Sequence, residues 1–69
     1  MQFKNMAELA TIIKTTRKEQ SLTQNDLALA SNVGIHFIVD IEAGKETAQI
    51  GKALKVCTML GLKIGVTNR

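Results

Sequence analysis

Apolar residues recur at helical spacing in several stretches of the chain, each bracketed by residues that start or stop helices. Met6, Leu9, Ala10 and Ile13 form the first stripe. Asn5 stands before it as an N-cap, with Glu8 three residues on to complete a capping-box arrangement. The spacing predicts a helix over 6–20. Continued further, the same stripe arrives at Arg17. An arginine on a buried face demands a buried partner, because an unpaired charge there is very costly. Ser21-Leu22 interrupts the pattern, and Thr23 then caps a short helix over 24–31. Asp26 takes the third helical position, where a carboxylate suits both the cap and the helix dipole. Leu27 and Ala28 point inward. Asn32 follows, a residue that tolerates the left-handed backbone of a tight turn.

Gly34 opens a third helix, predicted over 35–43. Ile38 and Ile41 share one face with Glu42, while His36, Val39 and Asp40 point the other way. Gly44 is placed to end it. Thr47 starts a fourth helix over 47–60, with Gly61 as its stop. Ile50, Ala53, Leu54, Val56, Cys57 and Leu60 cover nearly half of its circumference. That stripe is wider than one small core needs, so part of it is expected to face another subunit. The tail Leu62-Lys63-Ile64-Gly65-Val66 alternates with period two, which predicts a strand over 62–67. A lone strand leaves its backbone groups unpaired unless it meets a copy from a second subunit. Leu60, Leu62, Ile64 and Val66 are therefore the candidate dimer contacts.

Length and composition narrow the function. Sixty-nine residues make one domain, 1–69, with no internal repeat, linker or low-complexity segment. A core that small is marginal, which again favours a second subunit. The net charge of +3 permits a nucleic-acid partner without demanding one. Phe3 and Phe37 are the only aromatics, too few for a base-stacking surface on single strands. A single cysteine, Cys57, and a single histidine, His36, exclude a disulfide framework, a zinc site and any assembled catalytic constellation. No metal, cofactor or enzymatic activity is expected. The N-terminus has no apolar signal core, and no run approaches the roughly 18 apolar residues of a membrane span. A cytoplasmic location is the expectation.

Two short helices joined by a tight turn, over 23–42, make a unit whose second helix can enter the major groove of DNA. Small Ala28 lets the helices approach, Asn32 accommodates the turn, and Val33 and Ile38 lock the pair to the core. A plain helical bundle accounts for the same features. The residues themselves add a resemblance. Leu22-Thr23-Gln24-Asn25-Asp26-Leu27-Ala28, with Val33, Ile38, Ile41-Glu42 and Gly44-Lys45, is similar to the Cro and lambda-type (Xre) repressor family. Phe37-Ile38-Val39-Asp40-Ile41-Glu42 and the ending from Lys55-Val56 through Leu60-Gly61-Leu62 most resemble its HipB-like antitoxin and repressor group. The resemblance runs from about Leu9 to Val66.

It implies an all-α, lambda-repressor-like four-helix domain with the short C-terminal strand pairing across a homodimer. It also implies a DNA-binding transcriptional repressor acting on a palindromic operator, and an antitoxin restraining a HipA-like kinase toxin whose operon it autoregulates. Thr23 and Gln24 would meet a DNA phosphate at the start of the first motif helix. Gly34, Ile35, His36 and Val39 fall where the family contacts bases and backbone, and Lys45 suits a phosphate. Arg17 and Glu42 match a buried salt bridge of the family. The chain departs from it at the reading helix, which offers no Arg or Lys for a bidentate guanine contact. His36 hydrogen bonds, thymine-methyl contacts of Ile35 or Val39, and DNA shape would have to serve instead. That apolar face also supports an alternative: a protein-interaction module that keeps the fold and has little or no specific DNA binding.

Overall fold

Ile13, Ile38 and Val56 are wholly removed from solvent and bring three separate helices into one cluster. The computed structural model describes residues 2–47 and 49–63. Within them lie α1 (Met6–Glu19), α2 (Gln24–Ser31), α3 (Ile35–Glu42) and α4 (Ile50–Met59). α3 packs against α1 and α2, and α2 in turn against α4. Leu9, Leu27, Ala28, Ile41, Ala53, Cys57 and Leu60 complete the buried cluster. Burial raises the Cys57 thiol above its ordinary pKa, which leaves it an unreactive core residue.

The helix starts follow from local hydrogen bonds. Asn5 Oδ1 accepts from the Glu8 amide at 2.9 Å. The Glu8 carboxylate answers one residue earlier than a capping box requires, accepting from the Lys4 amide at 2.8 Å. At α2 the box is complete: Thr23 Oγ1 accepts from the Asp26 amide at 3.0 Å and Asp26 Oδ2 from the Thr23 amide at 2.9 Å.

All four helices end in the same way. Ser21, Asn32, Gly44 and Gly61 take left-handed φ values of 60°, 57°, 81° and 78°. Each reversal lets the next amide reach back into the helix, as in Leu22 to the Arg17 carbonyl at 3.1 Å and Val33 to the Ala28 carbonyl at 3.0 Å. Lys45 to Asp40 at 3.1 Å and Leu62 to Cys57 at 2.9 Å repeat the bond; this is the Schellman closure. Glycine and asparagine accept that backbone readily, whereas serine does so at a cost. Ser21→Gly is therefore expected to stabilise the fold by about 0.5 kcal/mol, after the glycine's greater unfolded-state freedom is deducted. A thermal melt should rise by a few degrees; a fall would mean that the Ser21 side chain contributes more than its strain removes.

Three expectations need correction. α4 begins at Ile50, three residues later than the predicted start at Thr47. Thr47 Oγ1 accepts from the Gln49 amide at 3.0 Å, forming a side-chain turn that competes with helix entry. Leu60, expected at a subunit interface, is 3% exposed and taken up by the protomer's own core. Leu62 and Lys63 are in no strand, and the rest of the strand expected over 62–67, with Ile64 and Val66, lies outside the described residues. Among the described residues the architecture is all helical. The outer edge of the wide α4 stripe is open: Ile50 and Leu54 are 57% and 41% exposed. No helix among the described residues is long and apolar enough to cross a membrane.

Candidate nucleic-acid interface

The orientation of α3 is set from its inward side. Ile38 and Ile41 enter the core, and Glu42 is buried with them. Glu42 holds Arg17 of α1 through two bonds, Nε to Oε2 at 2.7 Å and Nη2 to Oε1 at 3.0 Å. The third arm of the guanidinium donates from Nη1 to the Leu22 carbonyl at 2.7 Å. The bond to Glu42 raises the Arg17 pKa still further, so the group stays charged. One arginine thereby ties the end of α1, the entry to α2 and the end of α3 together.

Gln24 joins the same group. Its Nε2 donates to Glu42 Oε1 at 3.2 Å, with the side chain half-buried. The glutamine expected to meet a phosphate is thus anchored through one amide hydrogen, which leaves the other available. This bond was invisible in the sequence, because it joins two residues eighteen apart whose spacing carries no period.

The turn between the motif helices is built as tightly as Ala28 permits, with that side chain 3% exposed. Asn32 supplies the left-handed residue. Beyond it Gly34 is the N-cap of α3, exposed and without a side-chain cap, and α3 has no acid in its first turn. The start of α2 differs. Asp26 sits on it with a pKa lowered by hydrogen bonds from the Thr23 backbone and side chain, and its charge offsets the positive end of the helix dipole. Thr23 is exposed, with its hydroxyl committed to the cap.

On α3, His36 is exposed and Val39 is 42% exposed, both on the outward side. Ile35 is turned partly inward and packs against the core with Phe37. The Phe37 ring carries the Lys52 ammonium 5.9 Å from its centroid, a cation–π distance. Lys45 is exposed, and its Nζ lies 3.3 Å from Asp40 Oδ1. The sequence does not display that pair, because it forms only after the chain reverses at Gly44 and returns the Lys45 amide to the Asp40 carbonyl. Leu60 and Leu62 stand apart from this face, near the end of α1, where Gln20 Nε2 donates to the Leu60 carbonyl at 2.8 Å. Among the described residues no group of side chains could hold a metal ion.

Two short helices locked at a tight turn, the second clamped on one side and open on the other, define a helix-turn-helix domain. The chain belongs to the helix-turn-helix family of Xre/Cro type, whose pattern matches residues 13–66. It is 49% identical over 63 residues to the uncharacterized HTH-type transcriptional regulator y4mF of Sinorhizobium fredii, covering 91% of this chain and 83% of the relative. Among solved structures it is similar to the restriction-modification controller protein C.Esp1396I, with a TM-score of 0.74 at 28% identity over 84% of this chain and 75% of that one. A chain of the HipA-HipB-O2-O3 complex matches with a TM-score of 0.84 at 19% identity, covering 99% and 96% of the two chains. At that identity the likeness concerns the fold. The protein is an Xre-type transcriptional regulator.

Proposed function

We propose that this regulator is a repressor that binds a palindromic operator as a homodimer, with α3 in the major groove. The observation that carries the reading is the outward face of α3. Gly34, His36 and Val39 are open to solvent on a helix whose opposite side is fixed by Ile38, Ile41 and the Arg17–Glu42 pair. A helix held this rigidly can present the same atoms to every base pair it meets. His36 would donate or accept at base edges, and Val39, with the exposed part of Ile35, would meet thymine methyls. Gln24, Thr23 and Lys45 would contact phosphates, and the uncapped start of α3 at Gly34 favours anionic oxygen. A two-fold dimer built through Leu62, Ile64 and Val66 would set the two reading helices roughly 34 Å apart, one turn of B-DNA.

The likeness to a chain of the HipA-HipB-O2-O3 complex motivates a second activity for the same protein, as the antitoxin of a HipA-like kinase toxin encoded beside it. Co-expression with a neighbouring kinase gene tests this directly. Failure of the two products to co-purify would remove the antitoxin role and leave the repressor.

The repressor reading is tested by gel shift with the protein's own upstream DNA at low salt, where phosphate contacts are strongest. A retarded complex is expected. No retardation would favour the protein-interaction module, for which the apolar Ile35, Phe37 and Val39 argue. His36→Ala is expected to lower discrimination between specific and random duplex about tenfold, with a smaller loss on random DNA. An equal loss on both would reduce His36 to a phosphate contact.

A further inference from the structure

α3 carries an acid where its own stability provides no reason for one. Asp40 lies in the last turn of the helix, where a negative charge opposes the dipole. Its ion pair with Lys45 spans 3.3 Å between side chains that are 51% and 67% exposed respectively, and pairs this open contribute little. The direction in which Asp40 points is settled by its neighbours. Ile38, Ile41 and Glu42 fix the inward side of α3. At about 100° per residue, the opposite direction falls between His36 and Asp40, four residues apart on one face. A reading helix that meets base edges with His36 brings the Asp40 carboxylate with it.

We infer that Asp40 is a specificity-determining residue that accepts a hydrogen bond from the N4 amine of a cytosine in the major groove. The inference rests on the DNA-binding reading proposed above. An ionised carboxylate only accepts. Guanine N7 and O6 and thymine O4 are acceptors and repel it. Adenine offers its N6 amine beside the N7 acceptor, whereas cytosine presents N4 with no acceptor of its own beside it. Asp40 therefore favours cytosine, tolerates adenine less well because of N7, and is repelled by guanine and thymine.

Lys45 makes the carboxylate tolerable near phosphates. In the free protein its ammonium is paired with Asp40. On a matched site Lys45 turns to a phosphate while the cytosine amine takes its place. On random DNA no amine replaces it, so Lys45 must either stay with Asp40 or leave a bare carboxylate in the groove. Asp40 thus lowers affinity for random DNA and raises the contrast with a matched site. A carboxylate that only paired with Lys45 would lower affinity for matched and random DNA alike and leave the contrast between them unchanged.

The test uses the full-length chain and its Asp40→Asn variant in rounds of selection from a random duplex library. Titrations follow, at fixed salt, of the best site, its single-base variants and a random duplex. The wild-type sites are expected to carry C·G at one base pair of each half-site, and replacing that pair should cost about tenfold in affinity. In Asp40→Asn the preference at that pair should vanish, the other preferences persist, and random-duplex affinity rise several-fold. Its melting temperature should equal or exceed that of the wild type. Unchanged preferences in Asp40→Asn, or wild-type sites without the C·G pair, overturn the inference and leave DNA binding standing. No enrichment by the wild type at low salt overturns both.

Discussion

Glu42→Gln is expected to leave most of the protein unfolded at 25 °C. The substitution keeps the size of the side chain and removes the charge that faces Arg17. Side-chain exposures of 9% for Arg17 and 2% for Glu42 place the pair out of water, and the guanidinium cannot shed its proton, because it is intrinsically too basic to be neutral in a protein even without Glu42. Breaking a buried pair from one side costs about 3–5 kcal/mol. A core of this size supplies about the same amount in total. Exposed pairs contribute at most about 1 kcal/mol, so a Glu42→Gln protein that melts within a few degrees of wild type would show that water reaches the pair. Removing both charges should do much less harm. Arg17→Met combined with Glu42→Leu leaves no stranded ion, and such exchanges are often neutral or stabilising. Here they also strip the Leu22 carbonyl and Gln24 of their partners, at about 1 kcal/mol each. The double variant should therefore fold, somewhat below wild type, by circular dichroism and thermal melting.

The same arginine shows how far sequence alone could reach. The helical stripe of α1 runs straight into position 17, so burial was readable from period, and burial of a cation implied a partner. Helix ends were readable where the residue type itself prefers a left-handed backbone, as at Asn32, Gly44 and Gly61. Ser21 has no such preference, and its reversal is set by the bond from Leu22 back to Arg17. Thr47 is equally suited to capping a helix and to forming a turn, and a single bond to the Gln49 amide decided for the turn. The apolar wheel of α4 does not say which half serves its own core: Leu60 belongs to that core, and Ile50 and Leu54 form the open edge. The site divides in the same way. The outward placement of His36 and Val39 followed from period. The Gln24–Glu42 and Asp40–Lys45 contacts depend on how helices and turns meet in space, which no local pattern encodes.

His36→Glu is expected to reduce DNA affinity by about a hundredfold or more while the fold stays intact, and the reason lies in which side of α3 each effect acts on. Position 36 is the second residue of a helix that has no acid in its first turn and no side-chain cap at Gly34. A carboxylate there meets the positive end of the helix dipole and stabilises by about 0.3–1 kcal/mol. Asp40, four residues on, repels it by about 0.2–0.5 kcal/mol. The two nearly cancel, so the melting temperature should barely move. In the groove nothing cancels. The new carboxylate replaces a side chain able to donate and lies between two rows of phosphates, where like-charge contact costs several kcal/mol. About 2.7 kcal/mol is already a hundredfold in the dissociation constant. The loss should be seen on random duplex as well as on the operator, which separates it from His36→Ala. It should also shrink as salt is raised, because screening weakens the repulsion. Gel shifts at two salt concentrations, beside a melting curve, measure both halves. If His36→Glu bound DNA as tightly as the wild type, the outward face of α3 would not be the surface that meets DNA. DNA binding would then belong to another face of the domain.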